Sequence, residues 1–177
     1  MARYSSELLA QARVLARREP RRPKQASLRR SISASYYSLF HFLIEEATRL
    51  TVGAAHNRTP LRQFAGRAFV HGKMKSVCDE FTKATPKSDA LKPFWPTLGV
   101  RGNADLETVA ENFIDLQEAR HDADYNMSRP FTRQDAATAA DQAEDAIDAW
   151  NRLKVANEPL ALLFALSLML WPGISGR

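Results

Sequence analysis

A long helical pattern over residues 25–50 constrains the fold more than any other feature of the sequence. Apolar and small side chains recur there at intervals of three and four residues, the spacing that places them on one face of an α-helix. This stripe consists of Ser33, Tyr36, Tyr37, Phe40, Leu43, Ile44, Ala47 and Leu50. Because a helix this long can bury such a stripe only against several neighbours, the pattern predicts the central helix of a bundle.

Four further segments show helical spacing, and no segment alternates apolar and polar residues as a half-buried strand does. We predict helices over residues 5–18 and 59–83, a fourth that begins near residue 105, and a fifth over residues 135–153. The sequence therefore predicts an all-α fold with an extra apolar helix at the C-terminus.

Local signals place the predicted helix ends and one long connection. Thr59 is the predicted N-cap of the third helix, and Thr132 and Asp135 form a capping box before the fifth. Residues 84–104 contain prolines and glycines without a period, so we predict a surface connection there, held in place by Phe94 and Trp95.

The composition describes one globular domain with a substantial core. Of 177 residues, 45% are hydrophobic and 25% are charged, which is incompatible with global disorder. The single cysteine, Cys78, cannot form an intramolecular disulfide, and the seven glycines compose no phosphate-binding loop. Four histidines without metal-binding spacing predict no metal site, and we expect no cofactor. The N-terminus has no secretory apolar segment, so we expect a cytoplasmic protein.

The C-terminal segment is unusually apolar. Its apolar run begins at Leu160 and ends at Trp171, and Pro172 and Gly173 follow as helix-ending residues. Twelve helical residues reach about 18 Å, whereas the hydrocarbon core of a bilayer is about 30 Å thick. We therefore divide the chain into a bundle over residues 1–157 and an apolar helix or tail over residues 158–177, packed against the bundle or a partner chain. A membrane span and partial insertion into a membrane surface are the alternatives.

The net charge of +5 conceals two regions of opposite sign. Residues 1–30 contain nine basic and two acidic residues, whereas residues 104–148 contain twelve acidic and three basic residues. The basic residues that we expect to bind the phosphates of a nucleic acid are Arg17, Arg18, Arg21, Arg22, Lys24, Arg29 and Arg30. The alternative is that they pair with the acidic helices of the same chain or of a second subunit.

A short stretch at the end of the fourth helix concentrates groups that could carry chemistry. It contains a guanidinium, an imidazole, two carboxylates and a phenol, supplied by Arg120, His121, Asp122, Asp124 and Tyr125. Arg120 and Asp124 are four residues apart, so they face the same side of a helix and can form an ion pair. Two interpretations stay open: an ion pair that only ends the helix, and a functional site that uses Arg120.

Two motifs resemble those of the HEPN-domain proteins, which are small helical domains often found in prokaryotic toxin–antitoxin and defence loci. Residues 30–41 (RSISASYYSLFH) are similar to the RAVSRAYYAxFH signature of that family. The residues shared with its packing positions are Ser33, Tyr36, Tyr37, Phe40 and His41. Residues 120–125 (RHDADY) resemble the RxxADY motif that ends the penultimate core helix in one branch of the family. The likeness covers about residues 5–153.

The resemblance implies an up-and-down bundle of four to five helices that dimerises side by side, with the end of the fourth helix facing a basic cleft between the protomers. In the nuclease members, an R-x4-6-H motif in that cleft cleaves RNA without a metal ion. Its arginine stabilises the charge of the phosphorane and its histidine moves a proton. On this implication the catalytic candidates are Arg120, His121, Asp124 and Tyr125, and the expected partners are RNA and a second copy of the chain.

The sequence departs from the nuclease motif in two places. In the stretch where the histidine would stand, the chain has Tyr125, Asn126, Met127 and Ser128. Ala34 stands where the signature carries arginine. An active site would therefore need His121 or His41 in the place of the missing imidazole.

Three functional interpretations are consistent with the sequence. The first is a HEPN-like, metal-independent ribonuclease of a toxin–antitoxin or anti-phage defence system that acts at a dimer cleft. The second is a catalytically inactive HEPN-like module that binds a nucleotide or a partner protein such as a nucleotidyltransferase. The third is a membrane-associated adaptor whose apolar tail is its functional end.

Overall fold

The computed structural model describes residues 3–174, so the last three residues of the predicted tail lie outside the described residues. Within this range the chain forms eight α-helices and no β-strand, which confirms the predicted all-α helical bundle. The helices are α1 (Arg3–Arg17), α2 (Gln25–Val52), α3 (Thr59–Ala65), α4 (His71–Phe81), α5 (Phe94–Thr97), α6 (Ala104–Tyr125), α7 (Arg133–Ala156) and α8 (Glu158–Ile174).

The single helix predicted over residues 59–83 is wrong. The chain instead forms α3, a short 3₁₀ turn over Gly66–Ala68, and then α4. Phe69 and Val70 between them have extended backbone conformations, and the Phe69 side chain is buried. Because glycine lowers helix propensity and an extended segment lets Phe69 reach the core, the break is more stable than a continuous helix.

The predicted helix caps are partly confirmed. At the start of α7, the Asp135 carboxylate accepts hydrogen bonds from the Thr132 N–H (2.7 Å) and hydroxyl (2.8 Å), as in a capping box. Thr59 is not an N-cap: it lies in the first turn of α3, and its hydroxyl donates to the His56 carbonyl. The asparagine at position 103 caps α6, where its side-chain oxygen accepts the N–H of Leu106 (3.0 Å).

The chain divides into two compact units. The first comprises residues up to 42 together with residues 112–147, and the second comprises residues 43–111 together with those from 148 onward. The first unit holds α1, the N-terminal part of α2, the C-terminal part of α6 and most of α7.

In the first unit, α2 packs closely against its neighbours through small polar side chains. Ser31 donates a hydrogen bond to the Ala12 carbonyl (2.7 Å) and Ser38 donates to the Ser5 carbonyl (2.8 Å), so α1 and α2 run antiparallel. On α7, five of the buried side chains of this unit are alanines, namely Ala136, Ala139, Ala140, Ala143 and Ala146. Such small residues allow the helix backbones to approach closely.

The second unit is built around aromatic rings and includes the buried carboxylate of Glu46. Phe81 of α4 packs edge-on against Phe164 of α8 with the ring centroids 5.0 Å apart. Trp150 of α7 donates its indole N–H to Glu46 (3.2 Å), and Lys154 pairs with the same carboxylate. The apolar helix α8 thus packs on α4.

The helix α8 buries one side along its length, with Leu160, Phe164 and Leu168 each at most 1% exposed. Leu170 on another side remains 48% exposed. Among residues 3–174, no helix combines the length and the apolar character that crossing a bilayer would require.

Candidate functional site

Four side chains that are distant in sequence form one polar cluster in the first unit. Arg120 and Asp124 of α6 form the predicted ion pair, with the Arg120 Nε 2.8 Å from the Asp124 Oδ2. Ser33 of α2 donates a hydrogen bond to the other carboxylate oxygen (2.7 Å). The Arg120 Nη2 donates to the Tyr37 hydroxyl (3.0 Å). Each group therefore positions its neighbour, and the end of α6 is fixed to α2.

The guanidinium of Arg120 is held between charge and aromatic faces. It lies 5.6 Å from the ring centroids of both Tyr37 and Tyr125, within the range of cation–π contacts. Burial opposes its charge, but Tyr37, Asp124 and Tyr125 outweigh this and raise the pKa of Arg120. Although the Nε lies close to Asp124, its N–H makes no hydrogen bond in the described part of the chain, so this contact is chiefly one of charge.

The two candidate histidines have different surroundings. His121 is exposed and contacts the ring of Tyr125, with centroids 5.1 Å apart. His41 is half-buried beside Tyr4, Tyr37 and Phe40 at centroid distances of 5.1, 6.2 and 5.3 Å. Burial lowers the pKa of His41, so its neutral form is favoured at neutral pH. Through Tyr37, His41 belongs to the same cluster as Arg120.

A groove of about 290 Å³ between α1 and α2 borders this cluster. It is lined by Tyr4, Leu8, Gln11 and Leu15 of α1 and by Arg30, Ser33, Ala34 and Tyr37 of α2. Ala34, where the HEPN signature carries arginine, contributes only a methyl group to the wall. The smaller side chain leaves open a volume that an arginine would occupy.

The seven basic residues predicted to bind nucleic acid do not form one set. Arg29 is half-buried and donates hydrogen bonds to four main-chain carbonyls at and beyond the end of α6. Its acceptors are the carbonyls of Asp122, Ala123, Asn126 and Arg129. Arg29 also lies 5.1 Å from the ring centroid of Phe131. These contacts assign Arg29 to the stability of the fold.

The other six residues, which we call the basic cluster, are exposed: Arg17, Arg18, Arg21, Arg22, Lys24 and Arg30. Their side chains make no hydrogen bond or salt bridge with other described residues. Glu19 lies near Arg18 and Lys24, and a hydrogen bond from Ser27 together with these charges lowers its pKa. The basic cluster thus keeps a large excess of positive charge.

The acidic helix α7 of the same chain is paired by other cations. Arg13 of α1 contacts Asp141 (3.0 Å) and Glu144 (2.6 Å) of α7. Arg133 of α7 donates to the carbonyls of Glu19 (2.7 Å) and Pro20 (3.0 Å), which holds the connection that carries the basic cluster. Within the first unit, pairing with α7 therefore uses Arg13, not the basic cluster.

Sequence reasoning missed several contacts that build this site. Ser33 was predicted only as a packing residue, yet it holds Asp124, and Tyr4 and Gln11 were not predicted to line a groove. Gln25 was not predicted to join α2 to the segment before α7, where it exchanges two hydrogen bonds with Phe131. One sequence signal could have indicated these hydrogen bonds: polar residues on the inner face of a predicted core helix need partners when they are buried.

No group of three or more His, Cys, Asp or Glu side chains in the part of the chain that the structure describes is arranged to hold a metal ion. The chain was also compared with known proteins. No family model, curated protein or solved structure matches it.

Proposed function

We propose that the protein is a HEPN-like, RNA-directed binding module of a toxin–antitoxin or defence system. The observation that carries this proposal is the basic cluster beside the groove. Its six cations form no salt bridge with the described residues, and Glu19 lies near two of them, so a strong positive potential remains on this surface. A phosphodiester chain supplies negative charges at regular intervals, and each contact with a phosphate adds a salt-dependent increment to affinity.

The groove supports RNA in preference to a ligand without bases. Tyr4 is 57% exposed, and an exposed aromatic ring accepts the stacking of any base. Gln11 and Arg30 in the same groove provide donors for a sugar or a phosphate. A nucleotide bound here would lie beside the basic cluster, because Arg30 belongs to both.

The Arg120 cluster favours a module that binds RNA without cleaving it. Asp124 compensates the charge of Arg120, and Ser33 and Tyr37 fix both partners. Stabilisation of a phosphorane needs a cation directed at the developing negative charge. In this protein the cation is already committed to a carboxylate, so we assign Arg120 and Asp124 to holding α6 against α2.

Binding is tested by fluorescence anisotropy with a labelled single-stranded oligouridylate over a series of salt concentrations. The double variant Arg21→Gln, Arg22→Gln removes two cations of the basic cluster, and Lys73→Gln, Lys87→Gln removes two exposed cations of the second unit as a control. We expect the first variant alone to reduce the slope of log K against log salt by about 1.4, or 0.7 for each lost phosphate contact. Equal losses in both variants, or no binding by the parental protein, would refute the proposal.

A metal-independent ribonuclease is the second candidate function, and the position of His41 favours it. A neutral imidazole can accept a proton from a 2′-hydroxyl, and Tyr37 connects His41 to Arg120. If this function is correct, the parental protein cleaves RNA in the presence of a chelator and both Arg120→Ala and His41→Ala abolish cleavage. A parental protein that leaves RNA intact under all conditions, or an Arg120→Ala variant with parental activity, contradicts it.

The resemblance to HEPN proteins also supports a homodimer, and a nucleotidyltransferase as the partner of an inactive module. Sedimentation velocity of the purified chain distinguishes a monomer from a dimer. A nucleotidyltransferase reading frame beside the gene would support that partner, and co-purification of the two proteins would test it directly.

A further inference from the structure

A second cavity, of about 370 Å³, lies in the second unit and is independent of the proposed RNA-binding surface. It is lined by Ala84, Thr85, Pro86, Lys92, Trp95, Pro96 and Arg101. Its volume falls within the range of small-molecule sites, and most of its wall is apolar. A ligand that fits it therefore has a largely apolar body.

The walls of this cavity are held by contacts on their far sides. Trp95 is 6% exposed and packs against Phe81 with the ring centroids 5.1 Å apart. The opposite wall follows α4, where the Glu80 carboxylate accepts hydrogen bonds from the N–H groups of Lys87 and Ser88. Glu80 is buried and also pairs with Lys83. The cavity is thus formed before any ligand arrives, which reduces the entropic cost of binding.

Two donors at this cavity have no acceptor within the described residues. Arg101 is exposed and makes no hydrogen bond or salt bridge there, whereas Lys92 pairs with Asp89. The indole N–H of Trp95 is buried and makes no hydrogen bond in the same part of the chain. That N–H has almost no accessible surface, so a ligand in the cavity contacts the Trp95 ring and meets the positive charge of Arg101.

We infer that this cavity is a binding site for a small aromatic carboxylate. The aromatic body stacks on the Trp95 ring and contacts Pro86 and Pro96, and the carboxylate is the counter-ion of Arg101. A single unpaired cation matches one negative charge, which favours a carboxylate over a phosphate chain.

The indole N–H signals in a nitrogen–proton correlation spectrum test this inference directly, with 2-naphthoate as the probe. Side-chain assignment, aided by the loss of one signal in Trp95→Phe, identifies the Trp95 resonance among those of the three tryptophans. We expect 2-naphthoate to shift the Trp95 signal in a saturable manner and to leave the signal of Trp150, which is bonded to Glu46, unchanged. No shift of the Trp95 signal at millimolar 2-naphthoate would overturn the inference, and this result does not depend on the folding of any variant.

Two comparisons test the role of charge. The uncharged analogue 2-naphthalenemethanol is expected to bind roughly tenfold more weakly than 2-naphthoate, and Arg101→Gln is expected to remove most of this difference. Arg67→Gln, which neutralises another exposed arginine of the second unit, serves as the control and should retain parental affinity. Equal affinity for the two probes, or an equal loss in Arg67→Gln, would overturn the assignment of Arg101.

Discussion

Replacement of Arg29 by methionine is expected to lower the free energy of unfolding by about 2 kcal/mol, whereas the same change at Arg30 should cost less than about 0.5 kcal/mol. The guanidinium of Arg29 donates to four carbonyls, at 2.6–3.3 Å, where the peptide dipoles of α6 leave negative charge. A hydrogen bond to a charged group contributes about 1.5–3 kcal/mol when shielded. Two of these four hydrogen bonds are exposed, so water can replace them in the variant. We therefore attribute to Arg29 roughly one full hydrogen bond, together with about 0.5 kcal/mol from its positive charge at the C-terminal end of α6.

The pair of variants is informative because the two arginines are adjacent and only Arg29 has these contacts. Methionine keeps an apolar stem and removes the charge in both cases, so the changes are chemically matched. For a chain of this size, 1 kcal/mol corresponds to about 2–4 °C in Tm, so circular dichroism should show a loss of about 4–8 °C for Arg29→Met. RNA affinity should change in the opposite order, falling only in Arg30→Met. Equal melting temperatures for the two variants would refute the assignment of Arg29 to the fold.

Three further predictions concern stability and reactivity. Burial opposes ionisation of Glu80, but its hydrogen bonds outweigh this and lower its pKa. The ionised carboxylate therefore contributes fully to the free energy of unfolding above the unfolded-state pKa, and this contribution is lost as pH falls through the lower folded-state pKa. Between about pH 6 and about pH 3, the free energy of unfolding measured with urea should fall more steeply for the parental protein than for Glu80→Gln. Burial raises the pKa of the Cys78 thiol, so mass spectrometry should detect no alkylation by iodoacetamide at neutral pH until the protein is unfolded. Thr132→Ala removes the hydroxyl that accepts the N–H of Asp135 (3.1 Å) at the start of α7 and should lower the free energy of unfolding by about 1 kcal/mol, measured with urea, whereas Thr138→Ala in the exposed interior of α7 should not destabilise.

The sequence predicts those parts of the fold that depend on local spacing. The core stripe of α2 and the alanine face of α7 follow from periodicity, because each stripe must meet the core whatever its partner is. The break after α3 depends instead on the burial of Phe69 by the rest of the second unit, which no local pattern encodes. Thr59 carries a capping residue type, but the preceding 3₁₀ turn uses its hydroxyl, so α3 begins without a side-chain cap.

The candidate site was predictable to a similar extent. The pair of Arg120 and Asp124 follows from their separation of four residues on one helix. The bond between Ser33 and Asp124 joins residues that are 91 positions apart, and the sequence contains nothing that specifies it. Arg29 and Arg30 are identical in type, and a rotation of about 100° about the axis of α2 directs one toward the end of α6 and the other into the groove.

The Arg120 ion pair and the basic cluster, both in the first unit, differ most clearly in their net charge. The ion pair of Arg120 and Asp124 is partly exposed, at 20% and 25%, and such a pair contributes at most about 1 kcal/mol, so a phosphate could compete for the arginine at close range. At a distance, however, the pair has no net charge. The basic cluster carries six positive charges, with Glu19 near two of them, and its field extends about 10 Å at moderate salt. On the proposed function, an approaching RNA strand would therefore be attracted first to the basic cluster and would meet Arg120 only at close range.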